Sequence, residues 1–194
     1  PVVYAYCELH RGIVSIVKGE VGVDRCADRG AVIKVWLAGI CRADVKEVAG
    51  SRTILKDRGS LFGHELVGEI IVAGKRTKFT KGEIVVFNPN ITKRRTTGFG
   101  EYFIVEERAD ECLMRIPAGM SFELAVFAEP FSCILHSVKR LLDITGLNDF
   151  CGKKVAIIGA GNAGLSYAWL IGYLGGEATV FNLPEPDPRI NFIY

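Results

Sequence analysis

Val155-Ala156-Ile157-Ile158-Gly159-Ala160-Gly161-Asn162-Ala163-Gly164 is an apolar, β-branched run that breaks into glycines spaced G-x-G-x-x-G. Such a run suits a buried strand. Gly159 permits a tight turn, Gly161 lets the backbone approach a ligand, and Gly164 allows close helix–strand packing. The N-terminus of the following helix offers unpaired N–H groups and the positive end of the helix dipole, so a pyrophosphate is expected there. Contacts to NAD or NADP are accordingly expected at Gly159, Gly161, Asn162, Ala163 and Gly164. The spacing predicts a strand over 154–158, a turn over 159–164, a helix over about 165–174 stopped by Gly175-Gly176, and a second strand over 178–181. An acidic residue about twenty positions on ordinarily receives the ribose hydroxyls and repels a 2′-phosphate. Here Asn182 can bond a ribose without repelling charge, and Arg189 follows, so NAD and NADP both stay open.

Upstream the pattern is different. Segments 31–37, 66–72, 84–87 and 102–105 read as short strands, separated by turns such as Ala73-Gly74-Lys75 and Thr80-Lys81-Gly82-Glu83. Their spacing suits a partly open barrel better than βαβ units. Ser121 can cap a helix, which Pro130 is expected to interrupt before a second apolar-periodic run over 131–142. After residue 181 comes only the Pro184-Glu185-Pro186-Asp187-Pro188 stretch and a short tail, so one βαβ unit stands where a nucleotide-binding fold needs several more parallel strands.

Composition narrows the class. A 49% hydrophobic content over 194 residues is ample for a core, and a net charge of +2 gives no concentrated basic surface for nucleic acid. The six cysteines are scattered without a CxxC pair, and no signal peptide or membrane-length apolar run is present. These features predict a cytoplasmic protein with free thiols, a small-molecule ligand, and no membrane or nucleic-acid partner.

Two segments carry metal chemistry. Gly39-Ile40-Cys41-Arg42-Ala43-Asp44 supplies a thiolate, and Gly63-His64-Glu65 an imidazole followed by a carboxylate. Catalytic zinc takes about three protein ligands and keeps a position open. Glu65 reads as a further ligand or as a group beside the metal. Asp44 either accepts from the free nitrogen of His64 or caps a short helix starting at Val45.

With Phe62-Gly63-His64-Glu65-Leu66-Val67-Gly68, Gly100-Glu101-Tyr102, Arg115-Ile116-Pro117, Ala128-Glu129-Pro130 and the glycine fingerprint following the Cys41 motif in order, the chain resembles the medium-chain dehydrogenase/reductase family, the zinc alcohol and polyol dehydrogenases. The resemblance implies a mixed fold, a GroES-like β-barrel catalytic domain over 1–136 and the first part of an incomplete Rossmann domain over 137–194. It implies Cys41, His64 and Glu129 as zinc ligands with Glu65 beside them, a homodimer or homotetramer, and hydride transfer between a secondary alcohol (a polyol, sugar alcohol or amino alcohol) and the nicotinamide. The alternative is a truncated, non-catalytic member acting as an interaction module.

Three departures bear on this reading. The segment 88–97 has no cysteine for the family's second, structural zinc, so a break or a short loop is expected between Thr92 and Lys93. Ala43 and Lys46 stand where relay hydroxyl and histidine groups often lie, which makes Lys46 a candidate proton carrier. The nucleotide domain stops early. Cys133 could replace Glu129 as ligand, although core packing suits it better because Pro130 would break the geometry between them, and His136 reads as structural.

Overall fold

The computed structural model describes residues 2–21, 26–52 and 60–182. The chain divides into two units, Pro1–Glu129 and Pro130–Tyr194, so the boundary falls seven residues before the one expected at 136.

In the first unit, strands β1 (Val2–His10) and β2 (Ile13–Val21) pair antiparallel from Val2↔Val21 to His10↔Ile13. Arg11 and Gly12 turn the hairpin with φ of 49° and 79°, the two positive values that a two-residue turn matched to strand twist requires. The main sheet has the order β6-β3-β4-β5-β7. Its strands are β3 (Ala31–Ala38), β4 (Leu66–Ala73), β5 (Ile84–Phe87), β6 (Tyr102–Val105) and β7 (Leu113–Arg115), and every pair is antiparallel. Four of these strands were legible as β runs; the hairpin and β7 were not singled out.

The face of this sheet that carries Ile33, Leu66, Ile70, Phe87, Phe103 and Leu113 is sealed from water. The Phe87 and Phe103 rings meet edge to face at 4.8 Å. On the other side Tyr4 packs with Val32 and Ile104, which holds the hairpin to the sheet, and Tyr6 bridges to Gly100. The connection from β5 to β6 crosses residues 92 and 93 without a break: Arg94 N–H donates to Thr92 Oγ1 at 3.1 Å, and Thr96 N–H to the Ile104 carbonyl at 3.0 Å. Of the two expected alternatives, a break or a short loop, the chain takes the short hydrogen-bonded loop.

The helices of this unit are brief. They are α1 (Arg42–Val48), α2 (Ala109–Cys112) and α3 (Phe122–Ala125), the last capped by Ser121 Oγ, which accepts from Leu124 N–H at 3.2 Å. Pro130 does not end a helix. It sits third in α4 (Ala128–Thr145), within the first turn, where the missing N–H would have had no intrahelical partner. Proline there starts the helix, and Glu129 and Cys133 share one continuous α4.

The second unit pairs β8 (Lys154–Ile158) and β9 (Glu177–Phe181) in parallel, from Lys154↔Glu177 to Ile158↔Phe181. The crossover is α5 (Asn162–Tyr173), which begins three residues earlier than the expected 165 because Gly161 takes the N-cap. Ile134 and Val138 of α4 pack with Phe150, Leu170 and Ile171 to make a small core.

Candidate functional site

Cys41 is the N-cap of α1, and this places its thiol at the helix start. Asp44, third in the helix, accepts from Cys41 N–H through Oδ2 at 2.7 Å and from Gly63 N–H through Oδ1 at 2.9 Å. One buried carboxylate thus fastens the segment carrying Cys41 to the segment carrying His64. It neither opens the helix nor directly receives the imidazole: the Nδ1 of His64 lies 2.5 Å from the Leu61 carbonyl and 3.7 Å from Asp44 Oδ1. The cap reading of Asp44 holds in another form, since it caps α1 from the third helical position through Cys41 N–H and does not precede a helix starting at Val45; the first acceptor of the imidazole is corrected to the Leu61 carbonyl. A carbonyl can only accept, so Nδ1 carries a proton, and Nε2 is the nitrogen left to take a second proton or to bind a cation.

That nitrogen faces two carboxylates, Glu65 Oε1 at 3.9 Å and Glu129 Oε2 at 3.8 Å. Cys41, His64 and Glu65 each offer a ligand atom, and these atoms lie within 4.8 Å of one another. Glycines make room for the arrangement. A Cβ at Gly39 would come within 2.5 Å of Glu65 Oε2, and Gly63, at φ 68°, leaves no space beside Thr97 Oγ1 and the backbone of Gly98.

The electrostatics point to a missing positive charge. Burial opposes the charged form of His64, yet the neighbouring Asp44 and Cys41 side chains and the charges of Glu129 and Asp44 outweigh it, and its pKa is pushed up to about 10. Burial raises the Glu129 carboxyl, with His64 opposing and Glu65 and Asp44 adding to the rise. Burial likewise opposes ionisation of Asp44, but the nearby His64 imidazole and the hydrogen bonds from Cys41 and Gly63 hold its carboxyl below the usual range. A thiol, an imidazole and carboxylates around one point form a donor set suited to zinc, whose bonds to S, N and O run about 2.0–2.3 Å.

Other expected residues fall outside the cluster. Lys46 is exposed in the last turn of α1. Cys133 is exposed on α4, so core packing does not describe it, and His136 is exposed as well. Leu61 was missed; a backbone carbonyl has no sequence signal beyond its place three residues before His64.

In the second unit the glycine turn has the geometry its spacing demands. Gly159 has φ 102°, and a Cβ at Gly164 would overlap the Gly159 carbonyl oxygen at 1.8 Å, so strand end and helix start approach as only glycine allows. Asn162 and Ala163 form the first turn of α5, and Asn182 Oδ1 accepts from Ala160 N–H at 3.5 Å, which turns its amide back on the glycine loop.

A β unit with a buried thiol–imidazole–carboxylate cluster, followed by a strand–glycine turn–helix, is the framework of an alcohol-dehydrogenase-like oxidoreductase. Residues 27–133 match the family described as the alcohol dehydrogenase GroES-like domain, and the chain belongs to the medium-chain dehydrogenase/reductase family. It is 29% identical to sorbitol dehydrogenase of Bacillus subtilis, covering 69% of this chain and 43% of that protein. It is also 29% identical to L-threonine 3-dehydrogenase of Bacillus licheniformis, covering 82% and 50%. The chain therefore spans about half the length of the curated relatives it matches. Among solved structures, alcohol dehydrogenase from Thermus sp. ATN1 matches with TM-score 0.71 and 23% identity, over 97% of this chain and 59% of that one. Galactitol-1-phosphate dehydrogenase from Escherichia coli matches with TM-score 0.71 and 21% identity, over 97% and 57%. These two likenesses carry the fold. Among the described residues no helix is long and apolar enough to cross a membrane.

Proposed function

We propose that this chain is the metal-holding part of a zinc-dependent dehydrogenase that moves a hydride between a secondary alcohol and NAD or NADP. The observation that supports it most is the convergence of Cys41, His64 and Glu65 within 4.8 Å, with Glu129 Oε2 3.8 Å from the same imidazole nitrogen. Cys41 and His64 would hold the zinc, and Glu65 and Glu129 would compete for the remaining protein position. When bound, zinc supplies Lewis acidity that lowers the pKa of an alcohol oxygen.

The chain's own residues do the rest. The Leu61 carbonyl orients the His64 ring so that Nε2 faces Glu65 and Glu129, and Asp44 holds the two ligand segments in register. The Gly159–Gly164 turn would seat the cofactor's pyrophosphate on the α5 N-terminus, with Gly161, Asn162 and Ala163 facing it and Asn182 bracing the loop. The family's polyol and amino-alcohol members, sorbitol and threonine dehydrogenase, support a substrate with more than one polar group. Neighbouring hydroxyls on such a substrate could carry the proton that Ala43 cannot, and Glu65 is better placed for this than the exposed Lys46.

The test is elemental analysis of the purified protein together with a screen of polyols and amino alcohols for NADH or NADPH formation. About one zinc per chain and reduction of cofactor by a polyol are expected. A protein that holds no zinc and reduces neither cofactor would return the interaction-module reading.

A further inference from the structure

On the first unit, a cleft of about 530 Å³ lies where the β1–β2 turn, the end of α1 and the β5–β6 loop meet. Its walls include the cations Arg11, Arg52, Lys93 and Arg95 against the carboxylates Glu8 and Glu47. Glu47 is already engaged: Oε2 accepts from Ser60 Oγ, Oε1 accepts from Leu61 N–H at 2.7 Å, and Arg52 Nε stands 3.7 Å away. The wall therefore carries more positive than negative charge, and a concave site of one sign concentrates ligands of the other.

Arg95 shows the imbalance most clearly. Its guanidinium lies 5.0 Å from the centre of the Phe87 ring and donates to two backbone carbonyls, Ser60 through Nη2 at 2.6 Å and Thr96 through Nη1 at 3.4 Å. Nε is buried and, among the described residues, has no hydrogen-bond partner. Five donors in a fixed fork are only partly used. Burial lowers its pKa to about 10, although Glu47, Cys112 and Asp44 oppose the shift, so the charge lies in surroundings that do not fully balance it.

We propose that this cleft binds a phosphate-type oxyanion, with Arg95 and Arg52 as its principal donors. The source is a free oxyanion or the phosphate of a phosphorylated substrate; both present the same tetrahedral acceptor, which a guanidinium meets with paired N–H bonds. The cleft shares Ser60 and Phe62 with the segment that leads to His64.

Titration calorimetry of the full chain with inorganic phosphate tests this without depending on turnover, and the zinc content of each sample is measured alongside. Saturable binding is expected, displaced by sulfate but not by chloride, and weakened about tenfold or more by Arg95→Gln and several-fold by Arg52→Gln. Arg95→Lys keeps the charge without the fork and should fall between. Should Arg95→Gln fail to fold, the rim variant Arg52→Gln carries the test alone. A phosphorylated sugar alcohol that binds tighter than phosphate through the same arginines identifies a substrate phosphate, and equal affinities identify a free oxyanion. No saturable heat, or affinity unchanged in every variant that folds, overturns the proposal, whatever the zinc content.

Discussion

The two units solve the burial problem to very different degrees. In the first, the strands of the main sheet carry side chains with almost no exposure, such as Ile33, Val67 and Phe103, and the buried carboxylates Asp44 and Glu47 each accept two hydrogen bonds. In the second, two strands share a crossover helix, and Ile158 at 84% and Phe181 at 53% remain exposed on the sheet. A site that needs fixed ligand atoms is built in the unit that is sealed, while the glycine turn depends on backbone shape more than on depth of packing.

The sharpest way to break this contrast is at the metal ligands. Cys41→Ser should remove zinc by about tenfold or more and take any turnover with it, read by elemental analysis and cofactor reduction. A zinc-free Cys41→Ser protein with full activity would sink the assignment. Next in size are the glycines. Gly63→Ala meets both a positive φ and the Thr97 hydroxyl, so a loss of about 2–4 kcal/mol in denaturant unfolding is expected. Gly159→Ala has open space around its Cβ and only the backbone cost, about 1–2 kcal/mol. Equal losses would mean that side-chain crowding does not distinguish the units.

Asp44→Asn sharpens the comparison further, because the amide keeps the shape but replaces one acceptor oxygen by a donor facing an N–H. Zinc affinity should fall about tenfold while both ligands remain in place. An unchanged affinity would show that the segments hold their register without this carboxylate. The smallest effect is chemical: burial pushes the Cys112 thiol up to about 12, so it should stay unalkylated in the folded protein while the exposed Cys133 and Cys151 react. Equal labelling of all three in the native state would contradict the sealed core.

Much of this was visible in the residues. The strands at 84–87, 102–105 and 154–158 come out of β-branched runs bounded by glycine, and local pattern decides them. Pro130 misled because its cost depends on position: interior proline breaks a helix, first-turn proline does not, and the start of α4 is set by Ala128 packing in the Val67–Val86–Ala125 cluster. The β1–β2 hairpin escaped because its outward face is apolar too, with Val3, Val14 and Ile16 exposed, which erases the alternation a half-buried strand should show. Of the cluster, Cys41 and His64 were legible as chemistry, whereas the Leu61 carbonyl and the exposure of Lys46 depend on how the chain turns in space.

The carboxylate of Asp44 also alters the polymer physics of the metal site. By binding the backbone at 41 and, nineteen residues beyond itself, at 63, it closes the intervening loop before any metal arrives. The entropy of bringing the two ligands together is then charged to folding and not to metal capture. Doubling such a loop costs only about 0.6 kcal/mol. Insertions between Arg52 and Ser60 should consequently leave metal affinity almost untouched while this clasp holds, because the Asp44 bonds and the Leu61 carbonyl that orients His64 all lie outside that stretch.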